Sequence, residues 1–412
     1  MVDGAILGGP LARTGAAALD EIGLARSTLP LSVSSTHCIE DVQTIWRGLE
    51  AGGIESPGQS YDFIRLWVEA RQIAEKDQLY LVASLAGQPV ALLPLHRTAR
   101  AGVKVYSWFP GSHVGCGAPL LDVALFTRLT ADERRAFWRG VFGELKGADL
   151  VFLGTVPEQV QGIAGLFAEL GQSLPVETLY RSAFSSWNDA DSTQRTKSRR
   201  KHDRQHGDRL AALGKVEFET VTSGEAAAPA VLDEMFRQRA RRFEIMGIKD
   251  PFAPADIARF YADTVAPASK VRVVLHVLRL DGEIVAVRYN IAFGDRLFCL
   301  ISSMSDDERI QGGSPGKQCL LRVMQQVFDE GFRVFDMGNG FTDEKRHWCN
   351  VQVGLNSHYV PLSAKGSLIV AAHRQWLALR ARIKGNEKLL KLVKTARAKL
   401  QPRRGETRVT TD

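Results

Sequence analysis

Apolar positions along the chain fall into two periods, one of strands and one of helices. Leu297–Met304 is a mainly apolar run that predicts a strand, and a polar, glycine-rich turn follows at Gln311–Lys317. Leu320, Leu321, Met324, Val327 and Phe328 then recur at the spacing of one buried helix stripe. Ser314 as N-cap and Pro315 at the first helical position open this helix, and Gly331 stops it. Arg333–Gly338 reads as a second short strand, ending in a Gly-Asn-Gly turn. Strand, turn, helix, strand is the resulting order.

Similar signals occur earlier. Gln78–Leu85 and Pro89–Leu95, joined at Ala86-Gly87-Gln88, predict a hairpin, and Val271–Leu280 with Glu283–Ala292 around Asp281-Gly282 predict another. A helix over Ala131–Lys146 leads into an apolar run ending at Gly154, as the helix from Pro315 to Glu330 leads into the run ending at Gly338. These pairs stand at nearly equal separations, which points to a duplicated unit. The two copies differ at the helix entrance: Thr130-Ala131-Asp132-Glu133 in the first would repel an anion, whereas Gln311, Gly312, Gly313, Ser314, Gly316 and Lys317 in the second would attract one. Free amides at a glycine-rich helix start, with the positive end of the helix dipole, make a phosphate site.

Composition sets bounds. The 412 residues, 45% hydrophobic and 24% charged, suit two soluble domains with tails. Five scattered cysteines and no secretory signal point to reduced thiols in the cytoplasm, and no apolar run approaches the roughly 20 residues of a membrane span. The net charge of +7 is a property of residues 371–412, where Lys and Arg far outnumber acids in two basic amphipathic helices broken at Gly385-Asn386. That tail could dock on the body, meet an anionic membrane at the inner face of the cell membrane, or hold an anionic nucleotide through Arg403-Arg404.

Other candidates come from local pattern. Pro110–Pro119 is a long irregular loop containing His113, of the kind that binds ligands. Gln194–Leu213 is a basic helix, solvated or a wall for an anion. Arg239 and Arg242 lie on a following helix, exposed or orienting an acceptor carboxylate or phosphate. A P-loop is excluded because Gln311 and Gln318 occupy its Gly and Ser/Thr positions. His202 and His206 sit in a cationic run that would repel a metal, so no metal is expected.

Ser314-Pro315-Gly316, then Phe335-Asp336 with Gly338 and Gly340, then Lys345 and Trp348 resemble the cellulose-biosynthesis type of GNAT acyltransferase domain, a relative of the Fem-type aminoacyltransferases. Glu344 departs from the pattern, since an aromatic residue usually precedes that lysine. The resemblance implies an α/β (α+β) fold of two tandem GNAT-like mixed sheets flanked by helices. With a lead rich in Ala, Gly and Leu and a tail set apart by its charge, the chain divides into a disordered lead (1–35), a degenerate GNAT-like half (36–190), an acyltransferase domain (191–370) and the basic tail (371–412).

By the same resemblance the protein is an N-acetyltransferase with acetyl-CoA as donor and an amino-sugar or polysaccharide precursor as acceptor. Lys345 and Asp336 are its catalytic candidates; Gln311, Gly312, Gly313, Ser314, Gly316 and Lys317 would bind the donor; Arg239, Arg242, His113 and Trp348 would meet the acceptor. Acyl transfer to an amine needs a free amine, an oxyanion donor and a proton source. The oxyanion donor is expected from backbone within Leu300–Met304. Rival readings are a Fem-like transferase using aminoacyl-tRNA, disfavoured because no heptad arm is present, and a degenerate acyltransferase that senses an anion or membrane through its tail.

Overall fold

The structure, a computed structural model, describes residues 30–384. Strand β1 (Leu31–Thr36) is followed by helices α1 (Gln43–Glu50) and α2 (Tyr61–Ala70), the hairpin β2 (Gln78–Leu85) and β3 (Gln88–Arg100), and β4 (Val103–Trp108). Then come β5 (Leu120–Leu121), α3 (Val123–Phe126), α4 (Ala131–Gly143), β6 (Leu150–Pro157), the short pair β7 (Gln159–Val160) and β8 (Ile163–Ala164), and β9 (Gln172–Ala183). The second half runs α5 (Trp187–Gln194), α6 (Lys197–Ala211), β10 (Val216–Thr222), α7 (Ala228–Ile245), α8 (Ala255–Val265), β11 (Val273–Leu280), β12 (Glu283–Phe293) and β13 (Arg296–Met304). It ends with α9 (Glu308–Gln311), α10 (Pro315–Asp329), β14 (Val334–Asn339), α11 (Asp343–Trp348), β15 (Val351–Pro361) and α12 (Ala364–Lys384).

The expected mixed α/β architecture is present, and its two halves share one sheet. The strand order is β1-β2-β3-β4-β6-β15-β9-β14-β13-β12-β11-β10, which reads the same from either edge. Each half contributes four antiparallel strands and a fifth, β6 or β14, parallel to the fourth. The sixth strand is exchanged. β15 of the second half pairs with β6 of the first, β9 of the first pairs with β14 of the second, and β9 and β15 pair with each other at the centre. The duplication read from the sequence is therefore a two-fold arrangement within one sheet.

Helices from both halves cover one face together. Phe63 and Trp67 of α2 meet Phe260 of α8 edge-on at ring separations of 5.0 and 4.9 Å, inside a core that also takes Trp46, Tyr80, Met235 and Tyr289. On the opposite face each half has its own core, around Trp138 of α4 and around Leu320, Val323 and Val327 of α10. Burial on both faces explains why β2 and β11 are near-continuous apolar runs. Strand β1 overlaps the stretch expected to be a disordered lead, and its Leu31 and Val33 pack onto the first-half core. Residues 1–29 and 385–412, with the expected break at Gly385-Asn386 and the Arg403-Arg404 pair, lie outside the described residues. No helix among the described residues is long and apolar enough to cross a membrane.

A buried ion network ties the central seam. Arg181 of β9 donates from Nε to Asp336 Oδ2 of β14 at 2.7 Å, and its Nη2 pairs with Glu55 Oε2 at 2.7 Å. Glu55, 1% exposed, also accepts from Arg296 Nη1 at 3.2 Å and from the N–H of Gln161 at 2.7 Å. Burial alone would raise the Glu55 carboxyl, but Arg181 and Arg296 overcome it and hold the pKa below its ordinary value. A depressed folded-state pKa means the stabilisation is complete at neutral pH and lost as pH falls through the lowered value. Arg181→Met should therefore cost about 3–5 kcal/mol at pH 7 by leaving buried carboxylates short of their cation. The urea midpoint measures this, and the deficit should narrow in acid, where the Glu55 carboxyl takes up its proton; an unchanged midpoint would contradict the assignment.

Candidate active site

The site arises where two parallel strands part. β13 and β14 pair only from Arg296–Val334 to Phe298–Asp336, so past Phe298 the edge of β13 has no strand partner on that side. A bulge adds to the opening: Tyr289 faces Ile301 and Asn290 faces Cys299, which leaves Leu300 without a partner in β12. Two adjoining clefts result. The larger, about 410 Å³, runs along Ser302–Met304 to the start of α10; the smaller, about 240 Å³, fills the gap between Cys299–Ser302 and Met337–Asn339. Arg239, Arg288, Ser302, Thr342 and Glu344 line both, which makes them one groove.

The helix entrance differs in detail from a free-amide nest. Gly313 N–H donates to Ile310 O and Ser314 N–H to Gln311 O, each at 3.0 Å, and the N–H groups of Lys317 and Gln318 both reach Ser314 O at 3.0 Å. The Gly316 amide makes no backbone hydrogen bond outside its own helix among the described residues. Ser314 holds the N-cap position, but in the left-handed region at φ +49° and without a side-chain cap bond; a β-carbon makes that conformation costly, and strain of this kind collects at functional sites. Gln311, Ser314, Gly316 and Lys317 line the groove. Gly312 and Gly313 do not: His206 Nδ1 contacts the Gly312 carbonyl at 2.9 Å, and a β-carbon at Gly313 would lie 2.8 Å from Leu210, so these two fit α10 against α6.

Of the acceptor candidates, Arg239 and Arg242 line the larger cleft and His113 the smaller. Arg239 Nη1 donates to Ser302 O at 3.3 Å, while its buried Nε has no partner; burial, with Arg242 beside it, lowers its pKa. His113 comes from the loop of the first half. That loop crosses the site at backbone distance, since a β-carbon at Gly115 would stand 3.1 Å from Gly338 Cα. The His113 Nδ1 lies 3.2 Å from the Tyr261 hydroxyl, and burial brings the imidazole down to about 4, neutral at physiological pH.

Three expectations are corrected. Asp336 is 3% exposed, bound to Arg181 and accepting from the Gly338 N–H at 2.8 Å; its carboxylate is a structural anchor, absent from either cleft lining. Lys345 lines the smaller cleft, but its ammonium donates to the carbonyls of Gly338 (3.3 Å), Asn339 and Gly340 (2.8 Å). Three donors meet three acceptors, so it closes the turn and has none left for phosphate; burial lowers its pKa. Trp348 is buried away from the groove, tilted at 34° against Trp187 with the Arg195 guanidinium over its ring.

Sequence reading missed Arg288 and the role of Glu344. Arg288, 5% exposed on β12, pairs with Glu344 at 2.9 Å, and its Nε has no partner. Burial disfavours its charge, but Glu344 outweighs this and the pKa is raised. An arginine inside the apolar run Val285–Ile291 was the available signal. Glu344, standing where the resembling family carries an aromatic residue, brings the one carboxylate that lines both clefts.

Residues 197–346 match the family model described as an acetyltransferase (GNAT) domain. The matched segment, under half of the chain, contains β13, α10, β14 and all of the groove lining except the loop at residues 112–115. No curated protein matches the sequence. Similar solved structures include the C-terminal domain (DUF2156) assigned to a lysylphosphatidylglycerol synthetase from Agrobacterium fabrum, with 13% identity over 81% of this chain and 95% of that one, TM-score 0.49. FemX follows at 10% identity, 72% and 91% coverage and TM-score 0.47. A tandem GNAT protein of the clavulanic acid biosynthesis pathway gives 11% identity, 81% and 99% coverage and TM-score 0.40.

Lys345→Met should loosen the Gly338–Gly340 turn by leaving its carbonyls unpaired, at about 1–3 kcal/mol. Faster hydrogen exchange at residues 338–342 with a lowered melting temperature is the expected outcome; an unaltered turn would return Lys345 to the catalytic list.

Proposed function

We propose that the protein is a CoA-dependent N-acyltransferase of the cytoplasm, transferring acetyl from acetyl-CoA to an amino group of an amino-sugar or polysaccharide precursor, in the manner of the cellulose-biosynthesis type of GNAT domain. The observation that carries this reading is the parting of β13 and β14 beside the α10 entrance, which exposes strand edge, one free helix amide and a cationic wall in a single groove. A pyrophosphate fits the Gly316 amide, the α10 dipole and Lys317, and the orphaned Nε atoms of Arg239 and Arg288 are donors suited to anionic groups on donor or acceptor.

Acetyl-CoA supplies the acyl group as a thioester. The residues do the rest. The free edge of β13 past Phe298 offers main-chain N–H groups to the developing oxyanion, and Arg239 with Arg242 orients an anionic acceptor. Glu344, fixed by Arg288, takes the amine proton as the C–N bond forms and the C–S bond breaks, the thiolate being protonated from water. His113, neutral, lines the acceptor side without adding charge.

A second reading, transfer from aminoacyl-tRNA, draws on one observation: Lys197, Lys201 and Arg204 remain exposed on a single face of α6. Salt-dependent tRNA binding lost on neutralising them would favour it.

Calorimetric titration with acetyl-CoA tests the first reading. Binding by the full chain is expected, weakened about tenfold or more by Lys317→Ala, which removes a charge-assisted contact of about 1.5–3 kcal/mol. Folded protein that binds no acetyl-CoA would remove the proposal.

A further inference from the structure

The tip of α7 exposes a group of large apolar side chains. Ile245, Met246 and Ile248 are 69%, 56% and 50% exposed. Gly247, at φ +63°, ends the helix by donating to Glu244 O at 2.9 Å while Ile248 N–H reaches Phe243 O at 3.1 Å, and this turn reverses the chain at the tip. Contiguous apolar patches on a folded surface mark interaction sites.

The helix fixes what the patch adjoins. Arg239, Arg242 and Met246 recur at i, i+3 and i+7, one face of α7, and the two arginines line the groove. The apolar tip therefore prolongs the groove wall outward. Across the groove, Phe341 is 62% exposed beside Thr342, which lines both clefts. Arg242 and Lys249, both exposed, form no ion pair among the described residues. The groove mouth thus combines apolar rims with cations on the same side of the molecule, the pattern that suits an interface of acyl chains and anionic headgroups.

We propose that this face docks on an anionic bilayer surface, Ile245, Met246 and Ile248 entering the headgroup boundary and Arg242 and Lys249 meeting lipid phosphates. The acceptor amine then reaches the groove as part of a lipid-linked molecule. The substrate assignment rests on the acyltransferase reading above; the docking does not.

Flotation of the full chain with vesicles of equal parts phosphatidylcholine and phosphatidylglycerol tests it, against vesicles of phosphatidylcholine alone. Binding to the anionic vesicles is expected, reduced about tenfold or more in the Ile245→Ser, Met246→Ser, Ile248→Ser triple variant, which removes the apolar side chains that would leave water. These positions are exposed, so the variant should melt as the parent does and bind acetyl-CoA unchanged. Equal vesicle binding by parent and triple variant overturns the proposal and assigns any binding to another surface, such as residues 371–412. Absence of vesicle binding by the parent overturns it as well. Loss of vesicle binding with donor binding intact supports it, whereas absent donor binding in the parent would count against the enzyme reading alone.

Discussion

Arg181 is the side chain on which the arrangement depends. It sits at the seam where the halves have exchanged their last strands, bridging Glu55 of the first half and Asp336 of the second. A buried cation between two buried carboxylates is tolerated only when every partner is in place, because any lone charge left at such depth is strongly destabilising. Asp336 passes the constraint on, since its second oxygen accepts the Gly338 N–H and so begins the turn that Lys345 closes. That turn bounds the smaller cleft. Structural anchoring and site geometry are linked through one guanidinium.

Strand exchange also explains why the site belongs to both halves. The cleft walls come from β13, β14, α7 and α10, but its floor near Met337 is crossed by the loop carrying His113, brought in from the first half because α2 and α8 share one core. The first half keeps the same strand order and a helix, α4, in the place of α10. There a capping box of Thr130 and Glu133 satisfies the helix start and puts carboxylates where an anion would bind. Both clefts open at the second-half strands, and neither is lined by the first-half helix α4.

Local periodicity was enough to locate the strands and helices that build the groove: β13, α10 and β14 fall within a residue or two of the pattern, because their apolar stripes are complete in themselves. The exchange of β9 and β15 was not legible, since strand partnership over such distances depends on the whole sheet and leaves no local mark. The same limit applies to side-chain roles. Asp336 reads as a free functional group from its place at a strand end, and Lys345 from the family resemblance; Arg181 and three carbonyls, contributed from elsewhere in space, take them up. Arg288 did leave a trace, as a charge in an apolar strand, but its partner Glu344 lies on α11. Gln311, Ser314, Gly316, Lys317, Arg239, Arg242 and His113 line the groove, although most of the turn's amides bond within it.

The central claim is that the parted strands and the α10 entrance form one acyl-donor groove. Hydrogen–deuterium exchange of the full chain with and without acetyl-CoA tests it most directly. Protection should appear together in residues 299–304 and 312–318, with none at residues 130–133 of the first half. Protection at the first-half helix start, or no change at either strand edge or helix entrance under saturating donor, would contradict it.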